Sequence, residues 1–177
     1  KHQGVIKYTR DIDNIFIDEK SDLLNILVER FSEIIGFQLS HKIQELGRQV
    51  IQIRICRPNT LDINPPHKDS YIPAYQDVLN LWIPIKGCNY KSSLPVYPGS
   101  HFFNENQIFR TDLRGATVNK NIYNVPCILK TSHGKIKMIR PNPKLKDILL
   151  FTPHLIHGAA FNCSNQTRVA LELRLPR

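Results

Sequence analysis

The chain has 177 residues, 41% hydrophobic and 22% charged, and carries a formal charge of +9 from 24 Lys and Arg against 15 Asp and Glu. This is the composition and length of one globular domain, which excludes fibrous and low-complexity classes. No apolar run approaches the roughly 20 residues that a membrane-spanning helix needs, so no such helix is expected.

The stretch "DLLNILVERFSEIIGF" (22–37) reads as a helix, because Leu23, Leu24, Leu27, Val28, Phe31, Ile34 and Ile35 recur at three- and four-residue steps. Ser21 is the expected N-cap and Gly36 the expected stop, and a shorter helical turn follows in "SHKIQELG" (40–47). After Gly47 the period changes to two. In "RQVIQIRICR", Val50, Gln52, Arg54 and Cys56 alternate with Ile51, Ile53 and Ile55, as in a strand. Further short strands are predicted over 78–85, 94–101, 134–140, 147–153 and 167–175, with turn residues between them. A helix followed by many short strands implies one domain over 1–177. It would have a helical part (1–47) packed outside an all-β barrel or jelly roll (48–177).

Cys56, Cys88, Cys127 and Cys163 form no Cys-x-x-Cys pair, so neither a zinc knuckle nor a redox motif is present. Free thiols of a cytoplasmic protein are expected. The cations Lys130, Lys135, Lys137, Arg140, Lys144 and Lys146 crowd one stretch, without aromatic interleaving or a nucleic-acid motif. They suit a solvated face or an anionic small molecule better than nucleic acid.

Chemistry concentrates in two places. In "PPHKDS" (65–70), His67 and Asp69 are two apart, which on an extended segment turns both side chains to one side and Lys68 to the other. With a second histidine they would make a 2-His-1-carboxylate metal site, which leaves coordination positions open on iron(II). In "LLFTPHLIHGAAFNCSNQTRVALELRL", His154 and His157 both compete for the third place. Arg168 follows His157 by 11 residues on the next predicted strand, where Asn165 stands at that offset from His154, and this favours His157. An arginine so placed can grip the far carboxylate of a metal-bound ligand. Arg168 shares its predicted face with Glu172 and Arg174, which reads as a solvated face wherever no site covers it.

Taken in order, "HKD", "LNLWIPI", "LPVYPGSH" and "DILLFTPHLIHGAAFNCSNQTRVALELR" resemble the phytanoyl-CoA dioxygenase family over roughly residues 50–175. The resemblance implies a double-stranded β-helix (jelly roll, cupin-like) and an oxygenase that uses Fe(II), 2-oxoglutarate and O2. It makes His67, Asp69 and His157 the metal ligands and catalytic centre, and Arg168 the residue on the far carboxylate of 2-oxoglutarate. Trp82 would line the cosubstrate pocket, and "PGSH" (98–101) would be a structural turn in which His101 is no ligand. The family often has serine where this chain has Ala159, so that contact is expected either from Asn80 or Thr152 or not at all. Because Asp69 is present, where halogenating relatives have a non-ligating residue, hydroxylation or a related oxidation such as desaturation is expected, with release of succinate and CO2.

The substrate is expected to be a small molecule, an anionic metabolite or biosynthetic intermediate. Arg54, Arg57, Arg110 and Arg114 are its candidate contacts, and 102–133 is a candidate lid. The sequons at Asn162 and Asn165 fall in the turn between His157 and Arg168, where a glycan would crowd the pocket, in keeping with the cytoplasm. The competing readings are a cupin-like metal enzyme that does not use 2-oxoglutarate, which would leave Arg168 without a role, and an inactive binding protein on the same fold.

Overall fold

The computed structural model describes residues 22–61, 64–113, 115–118, 121–158 and 160–177. Ser21, Arg114 and Ala159, each named above, lie outside them.

Helix α1 spans Asp22–Ile35 and buries Leu24 and Val28 on one stripe. It ends where Gly36 takes φ +77° and donates its N–H to Ser32 O at 2.9 Å, the left-handed cap that glycine reaches without a steric penalty. "SHKIQELG" forms only one 3-10 turn, Gln44–Leu46. The strands are β1 Val50–Cys56, β2 Val78–Lys86, β3 Ile108–Arg110, β4 Ala116–Val118, β5 Asn121–Tyr123, β6 Ile128–Thr131, β7 Leu149–Phe151 and β8 Arg168–Pro176.

The main sheet has the order β1-β8-β2-β7 and is antiparallel throughout. Alternation gives its two faces different work. On the outer face Ile51, Leu81, Leu173 and Leu175 pack with Leu24, Val28 and Leu39, each buried aliphatic contributing about 1.5–3 kcal/mol of transfer free energy. On the inner face, register sets Cys56 opposite Arg168, Gln52 opposite Glu172 and Asn80 opposite Arg174.

A second layer covers that inner face. It is a row of isolated bridges, Leu61 to Phe161, His67 to His157, His157 to Val96 and Val96 to Ile139. The strands expected over 94–101 and 134–140 are reduced to these single contacts. Pro95 and Pro98 have no N–H to give a ladder; Pro95 serves only as an acceptor, from Gly158 N at 3.1 Å. Trp82, Phe151 and Ala170 of the sheet pack against Leu94, Val96 and Leu155 of the second layer.

The segment 102–133, expected as a lid, has structure of its own: β3 pairs with β6 and β4 with β5. Ile108 and Ile128 form a core cluster with Ile156, the residue before His157, so this segment is anchored beside the site.

Candidate metal centre

His67 and His157 are brought face to face by backbone pairing, each donating its N–H to the other's carbonyl, at 2.9 and 3.0 Å. The ring centroids stand 4.4 Å apart. So close an approach depends on Gly158, which has φ +105° and whose missing Cβ would lie 2.7 Å from Pro65 O and 3.0 Å from His67 Nδ1. A side chain there would collide with backbone, which is a physical reason for the His-Gly pair.

Each imidazole uses Nδ1 on a carbonyl two residues back in the chain, His67 on Pro65 O at 2.7 Å and His157 on Leu155 O at 2.9 Å. With Nδ1–H donating, the neutral ring keeps its lone pair on Nε2, the arrangement found in metal-binding histidines. Both Nε2 atoms converge on Asp69 Oδ1, from 3.4 Å for His67 and 3.8 Å for His157. One ligand atom from each residue can be chosen so that all lie within 4.8 Å of one another, and the three residues are only 3%, 2% and 4% exposed. Two imidazoles and one carboxylate so placed suit a first-row divalent ion with positions left open. His154, the competitor, is exposed on the surface, and the structure does not bring it to this cluster.

The electrostatics agree with a ligand set. Burial pushes His157 down to about 4, reinforced by His67, so its ring is neutral at pH 7. Burial alone would raise Asp69, but Arg174, His157 and His67 outweigh it and hold the carboxyl well below the usual range.

Arg168 is fully buried, its guanidinium 5.9 Å from the centre of the Trp82 ring. Trp82 Nε1 is buried and has no hydrogen-bond partner among the described residues. An indole N–H left unsatisfied costs about 1–3 kcal/mol. A carboxylate accepting from it beside the guanidinium would remove that cost, so the pair fits the far end of a dicarboxylate.

Several expected contacts are placed elsewhere. Asn80 donates Nδ2 to Asp69 Oδ2 at 3.0 Å, so that end of its amide faces the carboxylate of the cluster. Thr152 is exposed, and its hydroxyl accepts from His154 N at 3.3 Å. Arg110 is held by Glu105 at 3.3 Å, over the Tyr71 ring, in the anchored segment. Arg57 is partly buried and is not among the residues lining the pocket beside the histidines. That pocket is a narrow cleft, partly open to solvent, between His67, His157, Gly158, Leu94, Asn64, Arg54 and Glu172. Of the cationic substrate candidates among the described residues only Arg54 lines it, and Arg54 is paired with Glu172 at 2.7 Å.

The face that Arg168 shares with Glu172 and Arg174 is therefore interior and not wet. Arg174 is buried, bonds Asp69 Oδ2 at 3.0 Å and lies 3.7 Å from Glu172 Oε2. Burial would raise Glu172, but Arg54 and Arg174 hold it low. Sequence alternation puts 168, 170, 172 and 174 on one face, but nothing local indicates that a second layer covers it. All four cysteines are free. Asn162, at the first sequon, is fully buried and spends its amide on Cys56 O and Gln166 O. No helix among the described residues is long and apolar enough to cross a membrane.

No protein-family profile matches the chain, and no curated protein sequence is similar to it. Solved structures are. AviO1 from Streptomyces viridochromogenes Tue57 superposes with a TM-score of 0.55 at 14% identity, over 85% of this chain and 57% of that one. The epimerase SnoN, in complex with Fe3+, alpha ketoglutarate and nogalamycin RO, superposes with a TM-score of 0.54 at 14% identity, over 88% and 59%. At this identity the likeness is one of fold, and the chain spans less than two thirds of either neighbour.

Proposed function

We propose that this chain is the core of an Fe(II)- and 2-oxoglutarate-dependent oxygenase of the double-stranded β-helix type. His67, Asp69 and His157 would hold the metal, and Arg168 with Trp82 the far carboxylate of 2-oxoglutarate. The observation that carries this reading is the buried His-Asp-His cluster, whose Nε2 atoms both face one carboxylate oxygen. The fold shared with SnoN, a protein solved with Fe3+ and alpha ketoglutarate, supports it. When bound, the iron, 2-oxoglutarate and dioxygen supply the oxidation of a substrate C–H bond, with release of succinate and CO2.

The chain's own side chains bind, orient and exclude. The two imidazoles are fixed in one tautomer by Pro65 O and Leu155 O. Phe151 packs edge-on to His157 at 5.0 Å and keeps water from that side of the centre. A small molecule would enter through the pocket between the histidines and the Arg54–Glu172 pair. Because those two charges neutralise each other, the pocket favours a neutral polar substrate over the anion suggested by the basic composition. Asp69 fills the carboxylate position, which favours hydroxylation; an epimerase on the same fold shows that the fold alone does not choose the outcome.

The test is an anaerobic titration of metal-free protein with Fe(II) and then 2-oxoglutarate, followed by the weak visible charge-transfer band of the chelate. The parent should develop the band, and His157→Ala should lose it. Arg168→Met should weaken 2-oxoglutarate binding by about 2–5 kcal/mol, because the ligand's charge is then buried without its partner. Metal binding without a band on adding 2-oxoglutarate would favour the cupin-like reading.

A further inference from the structure

The inference rests on the reading of His67, Asp69 and His157 as a metal centre and concerns how its carboxylate is presented. The two oxygens of Asp69 are used differently. Oδ1 faces both imidazole Nε2 atoms, at 3.4 and 3.8 Å. Oδ2 faces away and accepts two hydrogen bonds, from Arg174 Nη2 and Asn80 Nδ2, both at 3.0 Å. Those two donors occupy the lone pairs that a second metal bond would need. We propose that Arg174 and Asn80 are positioning residues that keep Asp69 a one-oxygen ligand and thereby keep one coordination position free for cosubstrate or dioxygen.

Each holder is itself held. Arg174 is buried, gives Nη1 to Gln52 Oε1 at 3.3 Å, approaches Glu172 Oε2 at 3.7 Å and stacks on Tyr75 with Cζ 4.6 Å from the ring centre. Asn80 and Arg174 are register partners on β2 and β8, so the sheet fixes the gap between their donors. Asn80 Oδ1 and Arg174 Nε are buried with no hydrogen-bond partner among the described residues. Neither atom is satisfied in its own right; each side chain lies where its other end can reach Asp69. A purely structural ion pair would not need an amide on the same oxygen.

Metal-free protein titrated with Co(II) alone, without oxygen, reads this directly through affinity and the visible d–d bands. Arg174→Met should bind Co(II) about 10- to 100-fold more weakly, the range for loss of a group that orients a ligand. At saturation its bands should also differ from the parent's, because Oδ2 is then free to chelate. Arg174→Lys, which keeps a charge but only one of the contacts, should recover part of the affinity. Asn80→Ala leaves the ion pair in place, so it stays informative if Arg174→Met fails to fold; it should shift the bands in the same direction with a smaller loss. Folded Asn80→Ala and Arg174→Lys proteins with the parent's affinity and the parent's bands would overturn the proposal. A parent that binds no Co(II) would instead overturn the metal-centre reading beneath it.

Discussion

Lys68 and Asp69 are neighbours in the chain, both buried, and they send their charges into two different networks. Inward, Asp69 continues through Arg174 and Glu172 to Arg54, every member largely out of water. Outward, Lys68 reaches Glu105 at 3.2 Å and Phe103 O at 3.4 Å, and Glu105 also meets Arg110 and Tyr71. The signs alternate in both. The difference is solvent, because the Glu105 side chain is 52% exposed whereas that of Asp69 is 4% exposed. Attraction between charges grows as the surroundings lose polarity, and so does the penalty for stranding one of them. The inner network can therefore fix a ligand atom, while the outer one mainly fastens the 102–133 segment to the turn after His67.

The largest expected effect breaks the inner network at its metal end. Asp69→Asn should cost about 3–5 kcal/mol of stability in the metal-free protein, because Arg174 loses a buried countercharge, and Co(II) binding should fall below detection. Chemical denaturation and the same cobalt titration check both. Lys68→Met, one residue away, should leave the cobalt affinity close to the parent's. Equal losses in the two variants would show that the networks are not separate.

Acid should separate the two networks next. His157 has its ordinary value of 6.5 in the unfolded chain and about 4 when folded, so the unfolded chain binds more protons between those values. Stability of the metal-free protein should fall as pH drops from about 6.5 to about 4, by about 3 kcal/mol in all. Asp69, also held low, adds to the loss below its ordinary 3.8. Denaturation midpoints across that range check the slope, which His157→Gln should flatten above pH 4.

How much of this the sequence allowed is itself uneven. Helix α1, β1, β2 and β8 were legible because their periods of 3.6 and 2 are written in adjacent residues. The three residues of the His-Asp-His cluster were nameable from an HxD and a His-Gly followed by Arg168. The bridge layer was not, since Val96 meets both Ile139 and His157 through contacts that no local pattern encodes. The surroundings of the inner charges stayed open for the same reason. Alternation says that Glu172 and Arg174 share a face with Arg168, but whether that face is wet depends on Leu94, Val96 and Leu155 arriving from far along the chain. Asn80 could be placed on the site face, though its bond to Asp69 required knowing where the turn after His67 ends.

The smallest effect lies in the outer network and tests whether it is only a fastener. Glu105→Gln removes the charge facing Lys68, Arg110 and Tyr71 and keeps a single oxygen that can accept hydrogen bonds from only part of that set, the other end becoming an amide donor. With Glu105 half in water but the Lys68 side chain only 3% exposed, the loss should lie between about 1 kcal/mol, as for a surface ion pair, and about 3–5 kcal/mol, as for a broken buried one. Added salt should shrink even that difference, because ions screen an exposed charge far better than a buried one. Proteolysis within 102–133 should become somewhat faster, since the segment then depends on Ile108 and Ile128 packed with Ile156. Cobalt affinity should not change, because Lys68 reaches Glu105 and not the His67, Asp69 and His157 cluster, and its loss of a partner has no path to Oδ1 of Asp69. A Glu105→Gln protein with weakened cobalt binding would mean that the turn carrying Asp69 is set from outside as well as by Arg174.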